Sequence, residues 1–213
     1  MLKITNLGHA SFLFEEENYS IITDPYLDNS VPNLKFPRIS ANKVLISHNH
    51  YDHCGKEHVT IIPNERDIEI KEIIVPHDHH NGAKRGLNKM HLFRMDKYLI
   101  LHTGDLGCIP DESISKQLMN IDILLAPING FYTISSKELK DLVDLIKPKL
   151  VIPMHYFKQL NQSGYPDGGQ IEVFKQLIPL YLEVNDYSIN VSDDLFVYHA
   201  LIFNKELQEK END

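Results

Sequence analysis

The sequence predicts one α/β domain, layered around a single apolar core. Short strand-like apolar segments run through the whole chain, helical patterns alternate with them, and histidines and aspartates fall just after several of the apolar runs. Residues 1–203 are expected to form that domain, and the charged stretch 204–213 a frayed, solvated tail.

The elements follow in order. Residues 2–6, 11–15 and 19–23 read as short strands parted by polar or glycine breaks, and 44–47 is an apolar run suited to a buried strand. Residues 73–75, 89–95 and 98–102 suggest three more, and 123–126 and 150–153 resemble further buried strands. Ser135 with Glu138 forms a capping box ahead of Leu139, Leu142, Val143 and Ile146, which share one helical face; Pro148 should stop that helix. Weaker helical patterns cover 111–119 and 170–177. Strand-like 181–184, 187–191 and 195–199 close the chain, and antiparallel hairpins are expected at both ends.

Composition narrows the function classes. A net charge of −9 without a Lys/Arg cluster argues against a protein that binds nucleic acid by displacing counterions. Cys54 and Cys108 are too few for a disulfide scaffold and fit a reducing cytoplasm. The first residues lack the features of a signal peptide, and no apolar run approaches the ~18 residues that span a bilayer. A cytoplasmic protein acting on a small molecule is expected, with neither membrane nor nucleic acid as partner; a homo-oligomer remains compatible.

The strongest local signal is His48-Asn49-His50-Tyr51-Asp52-His53, directly after a strand-like segment. Chance would place about 0.003 such H-x-H-x-D-H patterns in a chain of this composition. In extended backbone, alternate residues face the same way, so His48 and His50 can converge on one ion while Asp52 and His53 turn toward a second. Imidazole and carboxylate donors suit zinc, and also manganese or iron. Six residues cannot close two metal shells. His77, Asp105 and His155 each stand at the expected C-terminal end of a strand, where an α/β protein gathers its site.

These residues, together with GHASFLF at 8–14, TDPYL at 23–27, HDHHNGAKRG at 77–86, TGDLG at 103–107 and IPMHY at 152–156, resemble the metallo-β-lactamase superfamily. The chain looks closest to a short branch that includes ascorbate-6-phosphate lactonase-like proteins. The resemblance implies a four-layer αββα sandwich and two divalent metal ions, zinc first. It implies that His48, His50 and His77 hold one ion, Asp52, His53 and His155 the other, and that Asp105 bridges them. His77 is preferred over His79 by its five-residue offset to Gly82. Asn129 replaces the first glycine of the branch's usual Gly-Gly, and Cys108 a second histidine.

Such a centre lowers the pKa of a bridging water from ~15.7 to about 7 and polarises the substrate oxygen, so no serine or cysteine nucleophile is needed. Asp52 or Asp105 would orient the hydroxide and carry a proton to the leaving group. The expected reaction is hydrolysis of a lactone or another activated acyl group; the alternatives are a phosphodiesterase of the same fold and a degenerate, non-catalytic binding module. Asp24 would either accept the distal N–H of a ligating histidine or close a turn before Pro25. His9 would hydrogen-bond near the site or simply pack. Arg85 would bind an anionic substrate group or form a salt bridge elsewhere, and Tyr132 and Tyr156 would line the pocket or the core. His58, His91, His102 and His199 are read as surface or structural, His79 and His80 as pocket residues or spare ligands, and neither cysteine as catalytic. Residues 157–169, rich in glycine and polar groups, are expected to form a rim of the pocket.

Overall fold

The computed structural model describes residues 1–156 and 170–208. The chain opens with an antiparallel meander of β1 (Lys3–Gly8), β2 (Ser11–Glu16) and β3 (Tyr19–Thr23). A two-stranded parallel ribbon follows, β4 (Ile39–Ala41) with β6 (Val59–Ile61), and between them β5 (Lys43–Leu45) joins β3 in parallel. The second half builds a larger sheet from β7 (Ile70–Pro76), β8 (Leu87–Met95), β9 (Tyr98–His102), β10 (Ile123–Pro127), β11 (Leu150–Met154), β12 (Tyr181–Val184) and β14 (Ala200–Phe203). The short β13 (Ser188–Asn190) crosses back to pair with β1. The sheets are therefore five-stranded, in the order β13-β1-β2-β3-β5, and seven-stranded, in the order β12-β14-β11-β10-β9-β8-β7.

The two sheets pack face to face. Phe14 of β2 meets Phe93 of β8 edge-on at 5.3 Å between ring centroids, and Phe12 meets Phe203 at 6.2 Å. The other face of the seven-stranded sheet, with Leu124, Ala126 and Val151, lies under Leu139, Leu142 and Ile146 of α2 (Ser136–Ile146) and Phe174 of α3 (Gln170–Leu177). β10 and β11 are buried on both faces, which explains their unbroken apolar sequence. The capping box of α2 forms as expected: the Ser135 side chain accepts from the Glu138 N–H while the Glu138 carboxylate accepts from the Ser135 N–H at 2.8 Å. The helix closes at Ile146, with Lys147 in the left-handed region ahead of Pro148.

The sandwich expected from the resemblance is present, with one difference in its make. Among the described residues, the outer face of the five-stranded sheet is covered by Tyr26, Val31 and Phe36, the β4–β6 ribbon and a 3-10 turn at Lys56–His58 rather than by an α-helix. Pro25, Pro32 and Pro37 in that stretch each remove a backbone donor and disfavour helix.

Several expectations are corrected. The strand expected at 195–199 is a 3-10 turn, Asp193–Val197, capped by backbone at Ser192; the strand begins at Ala200. The C-terminal hairpin is absent among the described residues, because β12 and β14 run parallel and β13 belongs to the other sheet. The helix expected over 111–119 is α1 (Glu112–Gln117), with Asp111 as its N-cap. The start of the tail does not fray: the Leu207 N–H donates to Asn6 O at 2.8 Å, and Gln208 bonds Tyr26 Oη and accepts from the Lys35 N–H. Residues 209–213 lie outside the described residues. No helix among the described residues is long and apolar enough to cross a membrane.

Candidate metal centre

All the expected donors come from loops that leave the same ends of the strands. The segment after β5 turns tightly, the His53 N–H bonding to His50 O at 2.9 Å, and so presents His48, His50, Asp52 and His53 together. His77 follows β7, Asp105 follows β9 and His155 follows β11. Three of the site residues, His9, Asp24 and His155, have positive φ (57°, 41° and 53°), a region β-carbon sterics disfavour and functional loops often occupy. Gly104, at φ +53°, lets the loop before Asp105 lie against its neighbours; a β-carbon there would sit 2.4 Å from Asn88 Oδ1 and 2.4 Å from Ser47 Cβ. The TGDLG motif is thus shaped by close approach as well as by its aspartate.

Asp105 is the centre of the arrangement. Its side chain is 4% exposed, and its carboxylate lies 3.3 Å from His53 Nε2, 3.3 Å from His155 Nε2, 3.5 Å from His77 Nε2 and 4.0 Å from His48 Nε2. Two clusters flank it. His48, His50 and His77 bring one nitrogen each within 4.8 Å of one another, and on the other side a carboxylate oxygen of Asp52 and one nitrogen each of His53, His155 and His9 lie as close. The grouping is that implied by the sequence resemblance, with His9 added to the second cluster.

The histidines are oriented from behind. Asp24, fully buried, accepts from the Ser47 N–H and Oγ, both at 2.7 Å, and from His53 Nδ1 at 3.0 Å. Because Ser47 Oγ donates to Asp24, it is an acceptor for His48 Nδ1 at 2.9 Å. Both rings then turn Nε2 toward Asp105. His48 Nε2, His53 Nε2, His77 Nδ1, His155 Nδ1 and Asp105 Oδ1 are buried without a hydrogen-bond partner. Leaving buried polar atoms unpaired costs about 1–3 kcal/mol each, so such a concentration is the mark of a site built for a cation. The donor set, imidazoles and carboxylates with an open cleft above, fits divalent metal ions.

The electrostatics agree. Burial, with His53 nearby, pushes His48 down to about 3, and burial lowers His77 as well, so both are neutral donors at pH 7. Burial would raise Asp105, but His155 and His53 beside it hold it well below the usual carboxylate range. For Asp24 burial acts upward as well, but the His53 hydrogen bond outweighs it and holds the carboxyl below its usual range. Burial lowers His53, yet the carboxylates of Asp105 and Asp24 on either side hold it well above the ordinary imidazole range, so the space between these two anions favours positive charge, and a bound cation would take the place of the Nε2 proton.

The remaining expected residues divide. His9 Nε2 lies 3.1 Å from Asp52 Oδ2, and its ring is 3.9 Å from that of His155. Arg85 and Tyr132 line the cleft of about 660 Å³ above the donors, together with His50, Asp52 and Asp105. Tyr156 lines a smaller neighbouring cavity instead. His79 is exposed and bonds Glu138 at 2.6 Å, away from the cluster, so geometry separates it from His77. His102 points away, to Ala10 O at 2.8 Å; His80 and His199 are exposed, and His91 is buried in the sheet opposite His102. Burial raises both cysteine thiols, so neither is an activated nucleophile. The rim expected at 157–169 lies outside the described residues.

Sequence reasoning missed three positioning residues. Ser47 carries the signal of standing directly before the histidine motif. Asp78, next to His77, accepts from the backbone N–H groups of His80, Gly82, Lys84 and Arg85; although burial would raise it, these bonds hold it at about 2. Asn88 accepts from the Asp105 N–H at 2.9 Å and donates to Thr103 O at 2.7 Å, and no local pattern announces it.

Residues 3–155 match the family described as the β-lactamase superfamily domain. A protein of Carboxydothermus hydrogenoformans named a metal-dependent hydrolase is 29% identical over 192 residues, covering 73% of this chain and 84% of that one. One of the same name from Pyrobaculum islandicum is 25% identical, covering 85% and 96%. Among solved structures, a protein from Thermotoga maritima proposed to be a Zn-dependent hydrolase of the metallo-β-lactamase superfamily superposes with a TM-score of 0.74 at 26% identity, over 95% of this chain and 98% of that one. An isothiocyanate hydrolase from Delia radicum gut bacteria, 12% identical with a TM-score of 0.59 and covering 89% of this chain and 99% of that one, shares the fold alone.

Proposed function

The chain belongs to the β-lactamase superfamily as one of its metal-dependent hydrolases, and on that premise we propose that it holds two divalent cations, zinc first, and hydrolyses a lactone or another small activated acyl substrate. His48, His50 and His77 hold one ion, Asp52, His53 and His155 the other, and Asp105 stands between them. The observation that carries this reading is the set of buried, unpartnered nitrogen and oxygen atoms gathered around Asp105.

Two cations bound there would supply Lewis acidity and an ionised water at neutral pH. The chain's own groups do the rest. Asp24 and Ser47 fix the tautomers of His53 and His48, so that neither ring must reorganise during the reaction. The two carboxylates divide their tasks by exposure: Asp105 is 4% exposed and locked among histidines, whereas Asp52 is 31% exposed at the floor of the cleft. Asp52 is therefore the group placed to carry a proton to a leaving oxygen, with His9 Nε2 holding its Oδ2 at 3.1 Å. Cys54 and Cys108 are both unpaired, which supports a reducing cytoplasm as the working compartment.

The test is metal analysis of the purified protein by plasma mass spectrometry, joined to a screen of neutral lactones and phosphodiesters before and after chelation. Two ions per chain and chelator-sensitive lactone turnover are expected. Turnover of phosphodiesters alone would reassign the substrate class. No metal after reconstitution and no turnover would leave a binding module in place of an enzyme.

A further inference from the structure

We propose that Arg85, stacked on Tyr132, is an anion-binding corner of the cleft, so that the substrate carries a carboxylate or phosphoryl group beside the bond that is hydrolysed. The inference rests on the hydrolase reading above and names its substrate class.

The Arg85 guanidinium carbon lies 3.2 Å from the centroid of the Tyr132 ring, and both side chains line the same cleft as Asp52, Asp105 and His155. Stacking occupies one face of the guanidinium and leaves its N–H edge, the part that matches an oxyanion two bonds at a time. Among the described residues that edge meets no carboxylate, whereas Lys89, four residues on, pairs with Glu72 at 2.8 Å. The two carboxylates of the cleft wall are already claimed, Asp105 by the histidines around it and Asp52 by His9.

Arg85 is also held in place. Its backbone N–H donates to Asp78 Oδ2 at 2.8 Å, and Asp78 directly follows the donor His77 while gathering three further N–H groups of the same loop. The loop thus fixes the cation at a set distance from the metal centre, as a specificity group requires. An ion pair formed there discriminates against a neutral analogue by about tenfold or more, because the guanidinium edge would otherwise face the substrate unpaired.

Two measurements on the metal-loaded protein test this, on wild type, Arg85→Gln and Arg85→Lys. The first is calorimetric titration with benzoate and with phenyl phosphate. Wild type should bind at least one, Arg85→Gln should bind it tenfold or more weakly at unchanged metal content, and Arg85→Lys should recover part of the loss. The probe that loses affinity tells carboxylate from phosphoryl. The second is the ratio of kcat/KM for a lactone bearing that anion to kcat/KM for its neutral counterpart, which should collapse in Arg85→Gln through KM. Equal affinities and equal ratios in wild type and Arg85→Gln would overturn the inference, with the hydrolase reading untouched if the neutral lactone still turns over. Arg85-dependent anion binding without turnover of any lactone would keep the anion corner and overturn the lactonase reading.

Discussion

Ser47 shows how much one small side chain can decide. Its hydroxyl donates to Asp24 and accepts from His48, and so aims a lone pair of His48 at the metal position. Ser47→Ala should leave the fold intact and weaken metal binding about 10- to 100-fold, read by competition with a chromophoric chelator. An unchanged affinity would mean that His48 is oriented by packing alone. Asp105 is the opposite case, a carboxylate in contact with four histidines. Asp105→Ala should lower the metal content below two per chain and abolish hydrolysis while circular dichroism stays native; full turnover with unchanged metal would refute the site.

Elements rather than residues set where these groups stand. β5, β7, β9 and β11 each end at the same rim, and each delivers its donors within a few residues of the strand end. Of these, β11 is buried on both faces beside β10, and α2 and α3 hold that part of the sheet from outside. The capping box of α2 includes none of the metal donors and supplies ordinary helix stability. Ser135→Ala should cost about 1 kcal/mol, which for a chain of this size lowers Tm by roughly 2–4 °C. Metal content should not change. A much larger loss would show that the Asn129–Ser135 bridge, and with it the Tyr132 loop, depends on the same serine.

At the scale of the whole molecule, the site is a stability liability until it is filled. Buried, unpartnered donors of both signs are concentrated at one rim of the sandwich, and a cation satisfies them only in the folded state. Free metal at 100 times its Kd should then stabilise the fold by about 2.7 kcal/mol. Calorimetry before and after chelation should show a lower Tm for the stripped protein, restored by zinc or by whichever ion it selects. A Tm indifferent to metal would be incompatible with a cation site at this cluster.

The divide between what was legible in the chain and what was not follows from range. The histidine motif could be read because its donors are four positions within six residues, and alternation along extended backbone forces neighbours to converge. The capping box of α2 was legible for the same reason, being a contact across three residues. That His77, Asp105 and His155 could join the motif was read from their places at strand ends, but which ion each would serve came from resemblance to a family, since nothing local ties residues so far apart. Ser47, Asp78 and Asn88 escaped notice because each is an ordinary polar residue whose partner is chosen by the fold. The parallel pairing of β12 with β14, and the return of β13 to the other sheet, were equally hidden: an apolar segment specifies that it will be buried, not beside which strand. The sequence by itself determined that this chain sets histidines and aspartates just after its buried apolar segments. Only the tertiary structure decided which nitrogen faces which oxygen, because that depends on non-local contacts no periodicity encodes.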